Sequence, residues 1–397
     1  MPIRYRTDLP QTAELVIVGG GVVGAATAFY AARAGLTPLL IERRPRLCTL
    51  TTPVSTGAFR LQFDNREELE MVRRSVELFL NFAEGTGQRD YDLDIRQQGY
   101  LFLTTDQAGV DRQRRMVAAL HEWGQTDVEL LTGDEARRRF PYLAESVLQA
   151  RFRAGDGFLD PKALTMGLAT GAEAEVVTAC TVTGFRVAGG RLAAVETDRG
   201  VVSTEAAVIA AGPLSGLIAD GAGVHLPIET VRRQKMIMPL VPEAPGWAPM
   251  NIDEDTGAHW RPALQGAYIL FTDPATPASP PNEQVVADPD FAFRLLDPES
   301  PVSVARVTPF WRQVWERGTA NWMLQAGQYT MTPDHRPLIG PTPVAGLHVN
   351  TGYSGHGIMG SPAGSRLLID VLSGAVSADQ NPFRMDRAFV AGRLDIL

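Results

Sequence analysis

Glu14-Leu-Val-Ile-Val-Gly-Gly-Gly-Val-Val-Gly24 is an apolar run that ends in glycines, of which Gly19, Gly21 and Gly24 have GxGxxG spacing. Leu15 to Val18 is β-branched and apolar, the pattern of a strand buried on both faces, and the small residues from Ala25 to Ala34 suit a helix packed closely on it. The glycines therefore fall at a strand-to-helix turn. Gly19 permits the turn, Gly21 lets the backbone approach a pyrophosphate, and Gly24 allows close packing, while Val22 and Val23 open the helix whose free N–H groups suit phosphates. A second strand, Thr37 to Ile41, ends in Glu42 beside Arg43, eighteen residues past Gly24, where a carboxylate accepts ribose hydroxyl hydrogen bonds and disfavours a 2′-phosphate. Strand, turn, helix, strand and acid in register imply a bound dinucleotide. The pattern alone does not choose between NAD and FAD.

At 397 residues, with 45% hydrophobic and 21% charged residues, the chain can hold two domains with substantial cores. A net charge of −8, with basic residues scattered singly or in short groups such as Arg137-Arg138-Arg139, argues against a nucleic-acid partner. Only Cys48 and Cys180 occur, so neither a disulfide framework nor a cysteine metal site is expected, and the compartment read from this is reducing. The apolar stretch from Leu15 to Ile41 is broken by glycines and Arg33, lacks a cleavage pattern, and is explained by the nucleotide fold. The expectation is a soluble, cytoplasmic protein without a transmembrane segment. Lys162 and Lys235 are the two lysines, which narrows the candidates for lysine-dependent chemistry.

Helical periodicity runs from Arg66 to Glu84, from Gln107 to Leu120 and from Gly133 to Arg139, with a strand at Gln98 to Thr104. Phe158-Leu-Asp-Pro161 introduces another helix, and strands follow at Glu175 to Cys180, Val182 to Val187, Leu192 to Thr197 and Val201 to Ser203. Glu205 to Pro213 is a buried strand ending in a glycine turn that includes Ala211 and Gly212. From Val231 to Trp322 strands, turns and prolines dominate, and Asp273-Pro-Ala-Thr-Pro-Ala-Ser-Pro-Pro281 reads as a surface loop or lid. Strand, glycine turn and helix return between Leu347 and Leu372, so the nucleotide domain is discontinuous.

With Val208-Ile-Ala-Ala-Gly-Pro213, Thr332-Pro-Asp-His-Arg-Pro-Leu-Ile-Gly340 and Gly352-Tyr-Ser-Gly-His-Gly357 following the N-terminal motif in this order, the chain resembles the D-amino-acid oxidase superfamily of FAD proteins. The likeness is to the sarcosine oxidase and dimethylglycine dehydrogenase branch in particular, and it covers essentially the whole length. The resemblance implies an α/β (α+β) fold, with a glutathione-reductase-type Rossmann domain for FAD at 1–90, 150–222 and 336–397. It also implies an antiparallel-sheet substrate domain at 91–149 and 223–335. The activity it implies is hydride removal from a carbon next to an amine nitrogen, giving an imine that water hydrolyses. Among the residues it implies at the cofactor are Ser55, Thr56 and Gly57 in the loop over the flavin, with Val182 and Gly327. The others are Gly352, Ser354, Gly355, His356, Gly357 and Ile358, in a turn that enters a helix and can stabilise charge on the reduced ring. His356 is read as catalytic, flavin-tuning or structural. Arg60, across a one-residue gap, matches the family's carboxylate-clamping arginine, while the residues alone also allow it to pair with Asp64, Glu67 or Glu68. Tyr329 matches a tyrosine of the family's substrate pocket, or is an ordinary strand aromatic. His259 and Arg261 alternate on a strand and share one face, toward flavin or toward solvent.

Three departures from the family matter. Gly327 stands where monomeric sarcosine oxidases attach FAD through cysteine, and Cys48 is read as a small buried thiol, so FAD is expected without a covalent bond. Met359 replaces a lysine that anchors carboxylate, suggesting a different or less anionic substrate. The lysine that assists oxygen has no evident counterpart, so the electron acceptor is left open among oxygen, a quinone and a protein. The leading expectation is oxidation of an amine or N-substituted amino acid. Alternatives are a 2-hydroxy-acid dehydrogenase on the same fold, and a flavoprotein subunit or assembly factor that needs a partner and works in a hetero-oligomer. No metal is expected.

Overall fold

The computed structural model describes residues 3–318 and 321–390. Residues 1–2 and 391–397, at the ends of the expected FAD-binding segments, lie outside the described residues.

Strand β1 (Leu15–Val18) is buried at all four positions, leads into α1 (Val22–Arg33), and pairs in parallel with β2 (Pro38–Ile41) from Leu15 opposite Pro38 to Val18 opposite Ile41. Proline can open β2 because it needs no ladder donor at a strand's first residue. On the other side of β1, Ala207–Ile209 pairs in parallel, which makes it the returning strand expected from Glu205 to Pro213. The complete sheet of described residues runs Arg4–Tyr5, Glu175–Val177, β2, β1, Ala207–Ile209, Leu347–Thr351, Leu338–Pro341.

Alternation along β1 feeds two cores. Leu15 and Ile17 join α1 and the C-terminal helix Gly357–Leu372 on one face, and Val16 and Val18 pack on the other against the small sheet of Val182–Ala188, Arg191–Thr197 and Gly200–Ser203. A strand apolar at every position is what such a double-sided burial requires.

Helix α2 (Arg66–Leu80) buries Leu69, Val72, Val76 and Phe79 and is capped by Asn65, whose side chain accepts from Glu68 N. The single helix expected to Glu84 is broken at Asn81, whose side chain donates to Glu77 O at 2.9 Å, and a short helix Phe82–Thr86 follows. Local side-chain bonding of this kind competes with the helical ladder.

The second sheet has the order Glu129–Thr132, Gln149–Arg153, Tyr100–Thr104, Met250–Asp253, Ala258–Ala263, Gly266–Phe271, Glu229–Met238, Met323–Met331. It is antiparallel except where Met250–Asp253 runs parallel to Tyr100–Thr104. Three of its strands carry residues of the site: β3 (Glu229–Met238), β4 (Ala258–Ala263) and β5 (Met323–Met331). Its outer face is covered by Asp290–Leu296 and Phe310–Arg317, with Trp260 of β4 and Trp311 fully buried between them. The segment 273–281 is irregular apart from one bridge between Ala278 and Val231, as its prolines dictate. It is nevertheless tied down: Ser279 N donates to Thr230 O at 2.8 Å and Asn282 N to Gln328 Oε1 at 2.7 Å. Arg43 pairs with Glu283 at 2.7 Å, so this strap reaches from the second sheet to the end of β2.

Among the described residues no helix is long and apolar enough to cross a membrane, and no cluster of His, Cys, Asp and Glu could hold a metal.

Candidate functional site

The C-terminal ends of β1 and β2 open onto a cavity of about 350 Å³, the side of a parallel sheet where nucleotides bind. At one end stands the start of α1. Its N-cap, Gly21, has no side chain to offer, and no acid occupies the first turn. Thr52 Oγ1 takes the Val22 N–H at 3.2 Å, leaving the Val23 N–H and the positive end of the helix dipole facing the cavity. Gly24 does not line the wall; a Cβ there would sit 1.8 Å from Gly19 O, so only glycine lets α1 start this close to β1.

Glu42 lines the same end, with Gly19 and Arg43. Its Oε2 accepts from Gly20 N at 2.6 Å and its Oε1 from Arg44 N at 2.7 Å. The carboxylate therefore holds the glycine turn and the β2 exit together while keeping lone pairs for a ribose. Burial raises its pKa, and the two backbone donors work against that rise. Val182, Ala211 and Gly212 complete this part of the wall.

The far end is formed by Gly352, Ser354, Gly355 and the start of α3 (Gly357–Leu372), with Gly357 and Ile358 on the wall. This helix too has no side-chain cap and no acid in its first turn. Gly355 has φ +101°, and a Cβ there would lie 2.7 Å from Tyr329 Cε2, so the turn and the tyrosine fit together only with glycine. Tyr329 and Gly327 of β5 and the loop residues Ser55 and Thr56 face the same space. Gly57 lies outside the wall, in a tight crossing where its carbonyl accepts from Leu159 N at 2.9 Å. Two uncapped helix N-termini along one cavity, with no acid among the lining residues but Glu42, suit a ligand with anionic phosphates at one end and a ring that gains negative charge at the other.

Of the residues expected at the reaction itself, Tyr329 is on the wall, whereas Arg60, His259, Arg261, His356 and Met359 are buried outside it. Arg60 donates from Nε to Gln62 O at 3.2 Å, and its Nη2 lies 3.4 Å from His356 Nε2, with the guanidinium over the Phe63 ring. His356 Nδ1 lies 3.2 Å from Glu68 Oε1. Arginine only donates, so Nε2 is the acceptor and Nδ1 carries the proton given to Glu68. This buried chain stands behind the N-terminus of α3. Met359 packs in the core that includes Met71 and Val72 of α2.

His259 and Arg261 share a face of β4, the face from which Arg261 reaches the loop at Thr56. His259 Nδ1 is 2.9 Å from Gly257 O, and burial holds its pKa at about 4. Arg261 donates from Nε and Nη2 to Thr56 O at 3.1 and 2.6 Å, with its guanidinium 4.1 Å from the Phe158 ring centre and 4.6 Å from that of Tyr268. Burial lowers its pKa to about 10. It braces the loop over the cavity from behind.

Two wall residues were not singled out from the sequence as site residues. Arg233 and Lys235 alternate on β3 and both line the cavity. Lys235 Nζ donates to Ser55 O at 3.2 Å and sits 4.5 Å from the Tyr268 ring centre, and burial, aided by Arg261, lowers its pKa to about 7. Arg233 stands 6.0 Å from the Tyr329 ring centre, its pKa lowered by burial. A lysine followed by Met236, Ile237 and Met238 on a buried strand is a departure from apolar patterning that marks the position.

The chain matches the FAD dependent oxidoreductase family, DAO, over residues 14–371. It is 27% identical to FAD-dependent oxidoreductase domain-containing protein 1 of Xenopus laevis, over 94% of this chain and 81% of that one. It is 25% identical to sarcosine oxidase subunit beta of an Arthrobacter species, over 96% and 92% of the two chains. Among solved structures, L-proline dehydrogenase from P. horikoshii superposes with a TM-score of 0.81 at 26% identity, over 93% of this chain and 95% of the other. A match across the sheet, both helix N-termini and the strand wall between them is decisive: the chain is an FAD-dependent enzyme and belongs to the DAO family of oxidoreductases.

Proposed function

We propose that the protein oxidises the C–N bond of an amine or N-substituted amino acid, the imine product then being hydrolysed by water. The observation that carries this reading is the wall facing the start of α3, built from Tyr329, Arg233 and Lys235 with no carboxylate among them. Relatives named for sarcosine and for L-proline support an amino-acid substrate. The N-termini of α1 and α3 would hold FAD without a covalent bond, and FAD would supply the hydride acceptor. The chain's own residues do the rest. Gly357 and Ile358 present the positive end of α3 where negative charge develops. Arg261 and Lys235 fix the Thr56 and Ser55 carbonyls, keeping the loop over the cavity in place. Lys235, with a pKa near neutrality, can release or take up a proton at Nζ during turnover.

The cofactor domain is assigned to 1–90, 150–222 and 336–397 and the substrate domain to 91–149 and 223–335, with the strand Gln149–Arg153 hydrogen-bonded into the substrate sheet. Two buried, unbonded cysteines support a reducing, cytoplasmic setting. The likeness to a sarcosine oxidase beta subunit favours a second reading, in which the chain works inside a hetero-oligomer. Anaerobic mixing of the yellow protein with amines, N-methyl amino acids and 2-hydroxy acids tests both. Bleaching of the flavin band by one amine class establishes the reaction, and the rate of recovery in air separates oxygen from another acceptor. Bleaching by hydroxy acids alone overturns it. A chemically reducible flavin that no substrate bleaches favours the subunit reading.

A further inference from the structure

Arg233 and Lys235 occupy alternate positions of β3 and so point to the same face of the sheet, into the cavity. Among the described residues neither forms an ion pair with a carboxylate. Arg233 donates only through Nη1, to Arg232 O at 3.2 Å and Asp273 O at 3.4 Å; its Nε is buried without a partner. Lys235 has one acceptor, Ser55 O, for three donors. The nearby Arg261 adds positive charge, and each of its three nitrogens already donates one hydrogen bond, to Thr56 O or Pro262 O. Two partly desolvated cations with no acid paired to them are costly unless an anion joins them. The side chains expected to clamp a carboxylate do not compete for it, since Arg60 is turned to Gln62 and His356, and Met359 is apolar and in the core.

We propose that Arg233 and Lys235 form the carboxylate site of this enzyme, taking the acid group of an amino-acid substrate against β3 beside Tyr329. The free Nε edge of Arg233 suits one carboxylate oxygen and the spare Lys235 N–H groups suit the other. The ligand's identity rests on the amine-oxidation reading; the anion site does not.

Calorimetric titration of the FAD-loaded protein with propionate, using propionamide as the neutral control, tests this without turnover. Propionate is expected to bind and propionamide not. R233Q should weaken propionate about ten- to a hundredfold, K235M about tenfold, and R233K should fall between wild type and R233Q. Affinity should also decline as pH rises through about 7, where Lys235 loses its charge. Several results would overturn the proposal. One is wild-type affinity in R233Q and K235M; another is equal binding of acid and amide, or no binding of either. A third is loss of affinity in R60Q with R233Q unaffected. If R233Q and R233K purify without FAD while K235M binds propionate normally, the cations serve the cofactor and the proposal fails. The oxidation reading fails separately, when propionate binds as expected yet no amine bleaches the flavin.

Discussion

Lys235 is a residue whose placement has a measurable thermodynamic signature. Its pKa falls from 10.5 to about 7 on folding, so between those values the unfolded chain holds a proton that the folded one has released. Stability therefore rises with pH across that window, and below about pH 7 the full cost of the buried ammonium is present. K235M should be more stable than wild type by about 2–4 kcal/mol near pH 6, with the difference closing toward pH 10.5, as read from urea midpoints over a pH series. The residue behaves as functional side chains do when they trade stability for chemistry. Glu68 presents the opposite case. Its two oxygens accept from His356 Nδ1 and from Asn65 Nδ2 at 2.8 Å, and Glu68→Ala takes the carboxylate acceptor away from both buried donors. A loss of about 2–4 kcal/mol in urea denaturation is expected. Neither role was legible in the sequence. Glu68 was read as one of several acids that could meet Arg60, but the histidine between them comes from a turn 288 residues away. Position in a motif fixes the loop on which Arg60 and His356 sit and not the side on which each side chain lies.

At the scale of elements the sequence was a better guide, because period and punctuation are local. The β1 turn, α1, β2 and the Gly352–Gly357 turn into α3 all lie where glycines and apolar runs put them, and the helix Gly133–Arg139 has the expected bounds. Boundaries moved where a side chain offered the backbone another partner, as Asn81 does. What period could not show was which strands would meet: β3 lies between β5 and Gly266–Phe271, and that order puts Lys235 on the Tyr268 ring. The tightest element junction yields a further test. Gly24→Ala would drive a methyl group into Gly19 O, so α1 must retreat from β1 and its N-terminus from the phosphates. The variant is expected to fold, to lose at least tenfold in FAD affinity, and to purify with a much reduced flavin-to-protein absorbance ratio.

Over the whole molecule, several of the polar ties between the two sheets run beside the cavity. Arg261 and Lys235 reach from the second sheet to the loop at Ser55 and Thr56, and the irregular segment after Phe271 crosses back to Arg43 through Glu283. That last pair is half exposed, so Glu283→Ala should change the unfolding midpoint by less than about 1 kcal/mol. Its effect is expected in time instead of in equilibrium stability. The strap runs past Gln328 and ends beside Glu42's neighbour, and its release is expected to speed departure of the dinucleotide. Dilution or charcoal treatment should strip FAD from Glu283→Ala several times faster than from wild type, followed by flavin fluorescence. With that outcome cofactor retention acquires a clock: a holoenzyme diluted far below its binding constant stays yellow for as long as the Arg43–Glu283 strap stays fastened, and outlives the concentration that loaded it.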